Sequence, residues 1–156
     1  MAAALGAGPV FAAIGFRDDR YLYKLYFSSV IEVTCALILN SQGHVLAAQR
    51  SATMSLPLKW EFPGGKIENN ESPEECLIRE IKEELDVDIQ IIKRLPINYH
   101  NYSSISIKLI PFICNTIMGK VTLKEHANFK WVNKNELLDL DWAEADIPIV
   151  KHFQTL

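Results

Sequence analysis

The chain has no surplus of positive charge: 16 Lys and Arg stand against 19 Asp and Glu, for a net charge of −3. A nucleic-acid-binding domain carries a basic face, and none is encoded here, so no stable nucleic-acid binding is expected. No basic amphipathic helix that would lie on a membrane is present either. Cysteine is scarce and odd in number. Cys35, Cys76 and Cys114 lie far apart in apolar surroundings, with no CxxC pair and no Cys/His pairing to suggest zinc. They read as buried, reduced thiols, and the compartment expected is a reducing, cytoplasmic one. Repeats and low-complexity linkers are missing. The N-terminal stretch MAAALGAGPVFAAIGF is small and apolar but shorter than a bilayer span. It lacks the positive start of a secretory signal and the Arg and Ser of a transit peptide. Residues 1–29 are set apart as a leader, either appended or a native extension, and residues 30–156 as one domain.

What is present suits a single globular domain: 156 residues, 49% apolar and 22% charged. Val30 to Leu39, β-branched and apolar, is predicted as a central strand. The turn cluster Asn40 to Gly43 leads to a paired strand, Val45 to Gln49. Arg50 to Lys59 is loop, and Trp60 to Phe62 a short strand stopped by Pro63 and turned by Gly64 and Gly65. Val87 to Leu95, Ser103 to Ile117 and Phe129 to Val132 are further strands, with Pro111 pointing to an edge or a bulge. Asn133 to Leu138 and Asp146 to Phe153 are two short helices, the second capped by Asp146. The order of strands, helix, strands and helices gives an α+β, mixed-sheet layered domain.

The most informative stretch is Gly65 to Val87, GKIENNESPEECLIREIKEELDV. Ser72, Pro73 and Glu75 are a helix start with a capping box. At 100° per residue, Leu77, Ile78, Ile81 and Leu85 share an apolar arc, and Glu80, Glu83 and Glu84 share the arc beside it. Carboxylates crowded on one face repel each other unless a cation lies between them. The pattern points to a hard divalent metal, with the glycine turn letting a backbone carbonyl, Gly65's for instance, approach the same ion. Arg79 flanks the acids and is expected to hold a carboxylate such as Glu71.

The same stretch resembles the Nudix box, G-x5-E-x7-R-E-U-x-E-E-x-G-U with U aliphatic. Gly65, Glu71, Arg79, Glu80, Ile81, Glu83, Glu84 and Val87 match, and Asp86 replaces the last glycine. Trp60 to Glu68, WEFPGGKIE, looks like the entry to the box in MutT-like nucleoside triphosphate pyrophosphohydrolases, the subgroup that includes 8-oxo-dGTP and CTP pyrophosphohydrolases. The resemblance implies a mixed sheet sandwiched between helices. It implies Mg²⁺, with Mn²⁺ as a substitute, and water attack on the phosphate chain to release a nucleoside monophosphate and pyrophosphate. It carries metal binding and catalysis to Glu80, Glu83 and Glu84, and places Arg79 among the catalytic residues. Glu125 matches a loop acid that binds metal or acts as general base, or is a plain surface glutamate. Arg50 matches a residue near substrate, or is an exposed strand-end arginine, and Lys66 is either a phosphate contact or a solvated turn lysine. Asp146 matches the position that hydrogen-bonds the base edge. Some members have Asn there, which donates and accepts, whereas an ionised Asp only accepts, so an Asp suits a base presenting donors, such as an exocyclic amine, or must be protonated.

Tyr99, His100 and Tyr102 form a polar-aromatic cluster, either core or rim residues of a strand or, with Tyr102 the candidate, a base-stacking surface. His126 and His152 read as surface residues with no partner. Three functions compete: a housecleaning (d)NTP pyrophosphohydrolase, a hydrolase of another nucleoside diphosphate derivative, and a non-catalytic Nudix ligand-binding domain. ADP-ribose members tend to carry a proline where Tyr102 and Ser103 stand here, and non-catalytic domains often lose the box acids, which this chain keeps. The expected partner is a small nucleotide, and the expected assembly a monomer or homodimer.

Overall fold

Alternate residues of the first strand are buried on opposite faces, and that fact sets the architecture. The computed structural model describes residues 30–156, so the leader lies outside the described residues. In β1 (Val30–Leu39), Cys35 and Leu37 enter one core cluster while Ala36 and Ile38 enter another. A strand buried on both faces is covered by helices on both sides. On one face lies α1 (Pro73–Leu85), with Leu77, Ile81 and Leu85 fully buried. On the other lie a 3₁₀ turn (Lys134–Asp139) and α2 (Ile147–Thr155), which contribute Leu137, Ile149, Val150 and Phe153. The result is the expected α+β sandwich around a mixed sheet. No helix among the described residues is long and apolar enough to cross a membrane.

The remaining strands are β2 (Val45–Gln49), β3 (Trp60–Glu61), β4 (Asp88–Arg94), β5 (Asn98–Asn101), β6 (Ser106–Met118) and β7 (Asn128–Val132). The sheet runs β3-β2-β1-β6-β4, with β5 also on β6 and β7 also on β2. β1 and β6 are parallel over the whole of β1, from Val30 opposite Ser106 to Leu39 opposite Asn115. β1 and β2 register only at Leu39 and Val45 before they part. Beyond that point β2 pairs with β7 and β3. The edge of β1 that is left is filled by the chain after β3. Ala36 N donates to Pro63 O and Thr34 N to Gly65 O, both at 2.8 Å, and Ile67 N to Glu32 O at 3.0 Å. A cavity opens where the two strands part.

Four expectations need correction. Ile78, placed on the apolar arc, is half exposed; the buried stripe of α1 is narrower and takes in Glu84 instead. Pro111 marks no edge, because β6 has neighbours on both sides. It falls where β6 changes partner from β5 (up to Leu109) to β4 (from Phe112), so its missing N–H costs no ladder bond there, while its carbonyl accepts from Leu95 at 2.8 Å. The β4–β6 pair shifts register at two other places, between Asp88 and Ile89, where β6 has the extra residue, and between Ile91 and Lys93, where β4 has it. The Tyr99–His100 segment forms a strand, β5, where the sequence pattern shows only polar and aromatic residues. Asp146 occupies the N-cap position of α2 but makes no side-chain cap bond.

Candidate active site

Helix α1 carries the acids because its ends are well defined. Ser72 accepts from Glu75 N at 3.2 Å while the Glu75 carboxylate accepts from Ser72 N at 2.8 Å, a complete capping box. At the other end Asp86 takes the left-handed conformation (φ 56°, ψ 33°), the role a glycine fills in the box pattern. Between them, Glu84 points inward and is 7% exposed. Its Oε2 accepts from Gly64 N at 3.3 Å. Burial, with added repulsion from Glu61 and Glu80, raises the Glu84 carboxyl to about 8, although His126 and the Gly64 amide pull the other way.

The glycine turn is shaped to meet these acids. A Cβ on Gly64 would strike Thr34 O at 2.1 Å, and one on Gly65 would lie 2.2 Å from the Glu80 carboxyl carbon. Gly64 must be glycine to press against the β1 backbone, and Gly65 leaves room for the Glu80 carboxylate where it stands. The Gly65 carbonyl, expected to face a metal, is turned toward β1 and accepts from Thr34 N. The carbonyl of Gly64, between two that bond β1, has no hydrogen-bond partner among the described residues.

Arg79 organises the remaining acids. Its Nη2 and Nε donate to the two oxygens of Glu71 at 2.7 and 3.1 Å, and Nη1 reaches Glu80 at 2.8 Å and Glu83 at 3.3 Å. The arginine holds the Glu71 carboxyl down at about 2. Because Arg79 draws Glu80 and Glu83 to itself, no three His, Cys, Asp or Glu side chains converge on one point among the described residues. The donor chemistry nevertheless fits a hard divalent cation. Glu80 and Glu84 flank one glycine turn, all donors are oxygen, and a carboxylate raised by burial and then by its acidic neighbours is what such a cation relieves.

Glu125 is exposed, on the loop between β6 and β7. That loop is tied to the end of α1: Thr122 N donates to Leu85 O and Lys124 N to Glu84 O, so Glu125 rises beside the acid helix. Lys66 is exposed and outside the cavity; its carbonyl accepts weakly from Arg79 at 3.4 Å.

The cavity, of about 530 Å³, brings Arg50, Gly65, Glu84, Tyr102 and Asp146 together. Asp146 is buried and spends its Oδ1 on Phe62 N at 2.9 Å, which is why it does not cap α2. Burial, then the charge of Glu61, raises its carboxyl to about 8 against the pull of the Phe62 amide and Arg50. At neutral pH it is a protonated acid, able to donate and to accept. Tyr102 lines the same wall, its hydroxyl accepting from Ala145 N at 3.3 Å and its ring meeting His100 edge-on. Arg50 does not face the cavity freely: its fork is taken by Ser55 and Glu61.

Two residues escaped the sequence reading. Glu61, within the WEFPGG segment, lines the cavity between Arg50 and Glu84. His126, expected at the surface, has a fully buried side chain bonded to Glu61 at 2.8 Å. Its place directly after Glu125 is the one hint of this in the sequence.

The NUDIX domain family matches residues 30–153. The CTP pyrophosphohydrolase of Escherichia coli K12 is 33% identical over 127 residues, covering 81% of this chain and 93% of that protein. An 8-oxo-dGTP diphosphatase of Proteus vulgaris is 32% identical over 61% of this chain and 85% of its own length. The solution structure of MutT from methicillin-resistant Staphylococcus aureus 252, described as a DNA mismatch repair protein and Nudix hydrolase, is 42% identical with a TM-score of 0.68, covering 83% of this chain and 98% of that one. Matched by the family over residues 30–153 and by these proteins over most of its length, the chain belongs to the Nudix hydrolase family.

Proposed function

We propose that this chain is a MutT-like (d)NTP pyrophosphohydrolase of the nucleotide pool, cleaving 8-oxo-dGTP, CTP or a modified dCTP to the monophosphate and pyrophosphate. The observation that carries this reading is the span of one cavity. At one end is Glu84, backed by Glu80 and the Gly64–Gly65 turn; at the other is the buried carboxyl of Asp146 beside Tyr102. A phosphate chain fits the first end and a nucleobase the second.

Glu80, Glu83 and Glu84 are the side chains that would hold Mg²⁺, or Mn²⁺ in its place, with Glu125 reaching in from its loop. The backbone carbonyl best placed to join them is that of Gly64 rather than Gly65. The metal, when bound, supplies positive charge that polarises phosphoryl oxygens and acidifies the attacking water. Arg79 releases Glu80 and Glu83 for this task and keeps Glu71. At the base end, Asp146 keeps Oδ1 on Phe62 and offers the proton on Oδ2 to an acceptor on the base edge. Tyr102 stacks on or abuts the base. Arg50 supports the wall, and Lys66, exposed beside the cavity-lining Gly65, is a turn lysine within the phosphate end's surroundings. The chain works as a monomer or homodimer and needs no nucleic acid.

The test is a panel of canonical, oxidised and methylated (d)NTPs with ADP-ribose, assayed with Mg²⁺ for pyrophosphate against phosphate release. Pyrophosphate from a triphosphate is expected; turnover of ADP-ribose alone would replace this reading with another member of the family. Glu84→Gln should lower kcat/KM by more than the ~10–100-fold typical of losing an outer-shell partner of a metal.

A further inference from the structure

A buried histidine with one satisfied nitrogen calls for a reason. The Nδ1 of His126 has no partner and is sealed from solvent. A phenyl ring of similar size would fill the same space without leaving a polar atom unsatisfied. The ring is therefore there for its other nitrogen. Nε2 lies 2.8 Å from Glu61 Oε1, and because a carboxylate only accepts, Nε2 carries the proton.

Glu61 does not stop at the histidine. Its Oε2 takes Nη1 of Arg50, and the rest of the Arg50 fork closes on Ser55, with Nη2 donating to Ser55 Oγ at 2.8 Å and Nε to the Ser55 carbonyl. Met54, Ser55 and Leu56 form one wall of the cavity. That wall has an unfavourable backbone. Leu56 and Leu58 stand at φ 50° and 63°, in the left-handed region that branched residues avoid. Such a conformation persists only where surrounding contacts dictate it. The Arg50 fork is one of those contacts, joined by backbone bonds between Arg50 and Leu58 and between Arg50 and Lys59. His126 is itself held on both sides. Lys124 N bonds Glu84 O at 3.0 Å and Ala127 N bonds Gln49 O at 2.9 Å, so the ring has little freedom to follow Glu61 if Glu61 moves.

We propose that His126 is a positioning residue for nucleotide binding: it fixes Glu61, and through Glu61 the Arg50 fork and the 54–56 wall of the cavity. The chain His126–Glu61–Arg50–Ser55 ties the loop that carries Glu125 to the wall that the nucleoside meets. None of its side-chain hydrogen bonds reaches an acid of α1; only the charges of His126 and Glu61 are felt there, by Glu84. Loss of His126 therefore loosens the wall and weakens nucleotide binding, while chemistry on the bound nucleotide continues.

This inference rests on the triphosphate reading above, so its test has one arm that needs no turnover. In the assay with the triphosphate turned over best, His126→Phe should raise KM about tenfold or more, as for loss of a charge-assisted hydrogen bond, with kcat within about threefold of the parent. His126→Gln, whose amide reaches nearly as far as Nε2, should recover most of the loss. In an Arg50→Ala background, His126→Phe should add almost nothing, because both changes cut one chain. In the arm without turnover, the Arg50 Nε–H resonance of the nucleotide-free protein, assigned by its loss in Arg50→Lys, should be distinct in the parent and collapse toward the solvent-exposed arginines in His126→Phe. If His126→Phe does not fold, His126→Asn, which draws the donor back from Glu61, takes its place in every arm. An unchanged Arg50 resonance overturns the proposal whatever the substrate. So does an additive double variant, or a fall in kcat at constant KM. A collapsed Arg50 resonance in a protein that hydrolyses no triphosphate would keep the positioning chain and reject the substrate reading.

Discussion

Asp146 shows how far one buried carboxyl departs from its behaviour in water. Its pKa rises from 3.8 in the unfolded chain to about 8 in the fold, first through burial and then through the nearby charge of Glu61. Between about pH 4 and 8 the unfolded chain has lost this proton and the native chain keeps it. The native state binds more protons, so stability falls as pH rises through that window and levels off above 8. Asp146→Asn keeps an oxygen for Phe62 N and removes the titration. The variant should gain on the parent steadily from pH 5 to pH 8 when melting temperatures are compared; a constant gap would mean that Asp146 is ionised in the native state. Glu84 adds a slope of the same sign, so the variant is flatter but not flat. Residues of this kind are only half legible in a sequence. Asp146 stands out by its position relative to a family pattern, but the protonation that lets it donate comes from burial. His126 was misread for the same reason. Its partner Glu61 is 65 positions away, and no local periodicity signals a loop histidine folded under a strand.

Helix α1 is the opposite case, because its signals are local. Ser72, Pro73 and Glu75 start it, three apolar residues anchor it, and Asp86 ends it, all within one short stretch that the sequence displays directly. The width of its buried face is a tertiary matter, so Ile78 was misplaced: β1 and β4 receive only a narrow stripe, and the glycine turn admits Glu84 beside it. β5 was missed because its residues are polar and aromatic; it is a strand by virtue of hydrogen bonds to β6, not of its own composition. Two substitutions test the reading of the helix ends. Ser72→Ala should cost about 1 kcal/mol, the usual worth of an N-cap. Asp86→Gly should add about 0.5–1 kcal/mol by relieving the left-handed backbone. Its ion pair with Lys82 spans 3.3 Å between side chains that are both about half exposed, so losing it offsets little of that gain. Urea midpoints should move in opposite directions at constant slope. A fall in stability for Asp86→Gly would show that the side chain, not the backbone, carries the cap.

The molecule as a whole places the site at a seam. One sheet separates two cores, and each core is closed by its own helices without help from the acids. The cavity opens where β1 and β2 part, and its walls come from β1, the loop after β2, β3, the glycine turn, α1, the turn from β5 into β6 and the segment before α2. A cation bound there joins parts of the chain that are close only in the folded state. It therefore binds the native protein and not the unfolded chain, and stabilises it by mass action, by about 2.7 kcal/mol at a hundred times its dissociation constant. Three outcomes follow from that arrangement. Chelation should abolish turnover and leave the circular dichroism spectrum intact, since neither core depends on the ion. Millimolar Mg²⁺ should raise the melting temperature of the parent, while NaCl at equal ionic strength should not reproduce the rise. In Glu84→Gln the Mg²⁺-dependent rise should shrink or vanish, even though that variant starts from a more stable baseline at pH 8 for want of a buried charge. Unfolding on chelation would make the metal structural. An equal Mg²⁺ shift in Glu84→Gln would remove Glu84 from the ligand set and leave the ion to Glu80, Glu83 and Glu125.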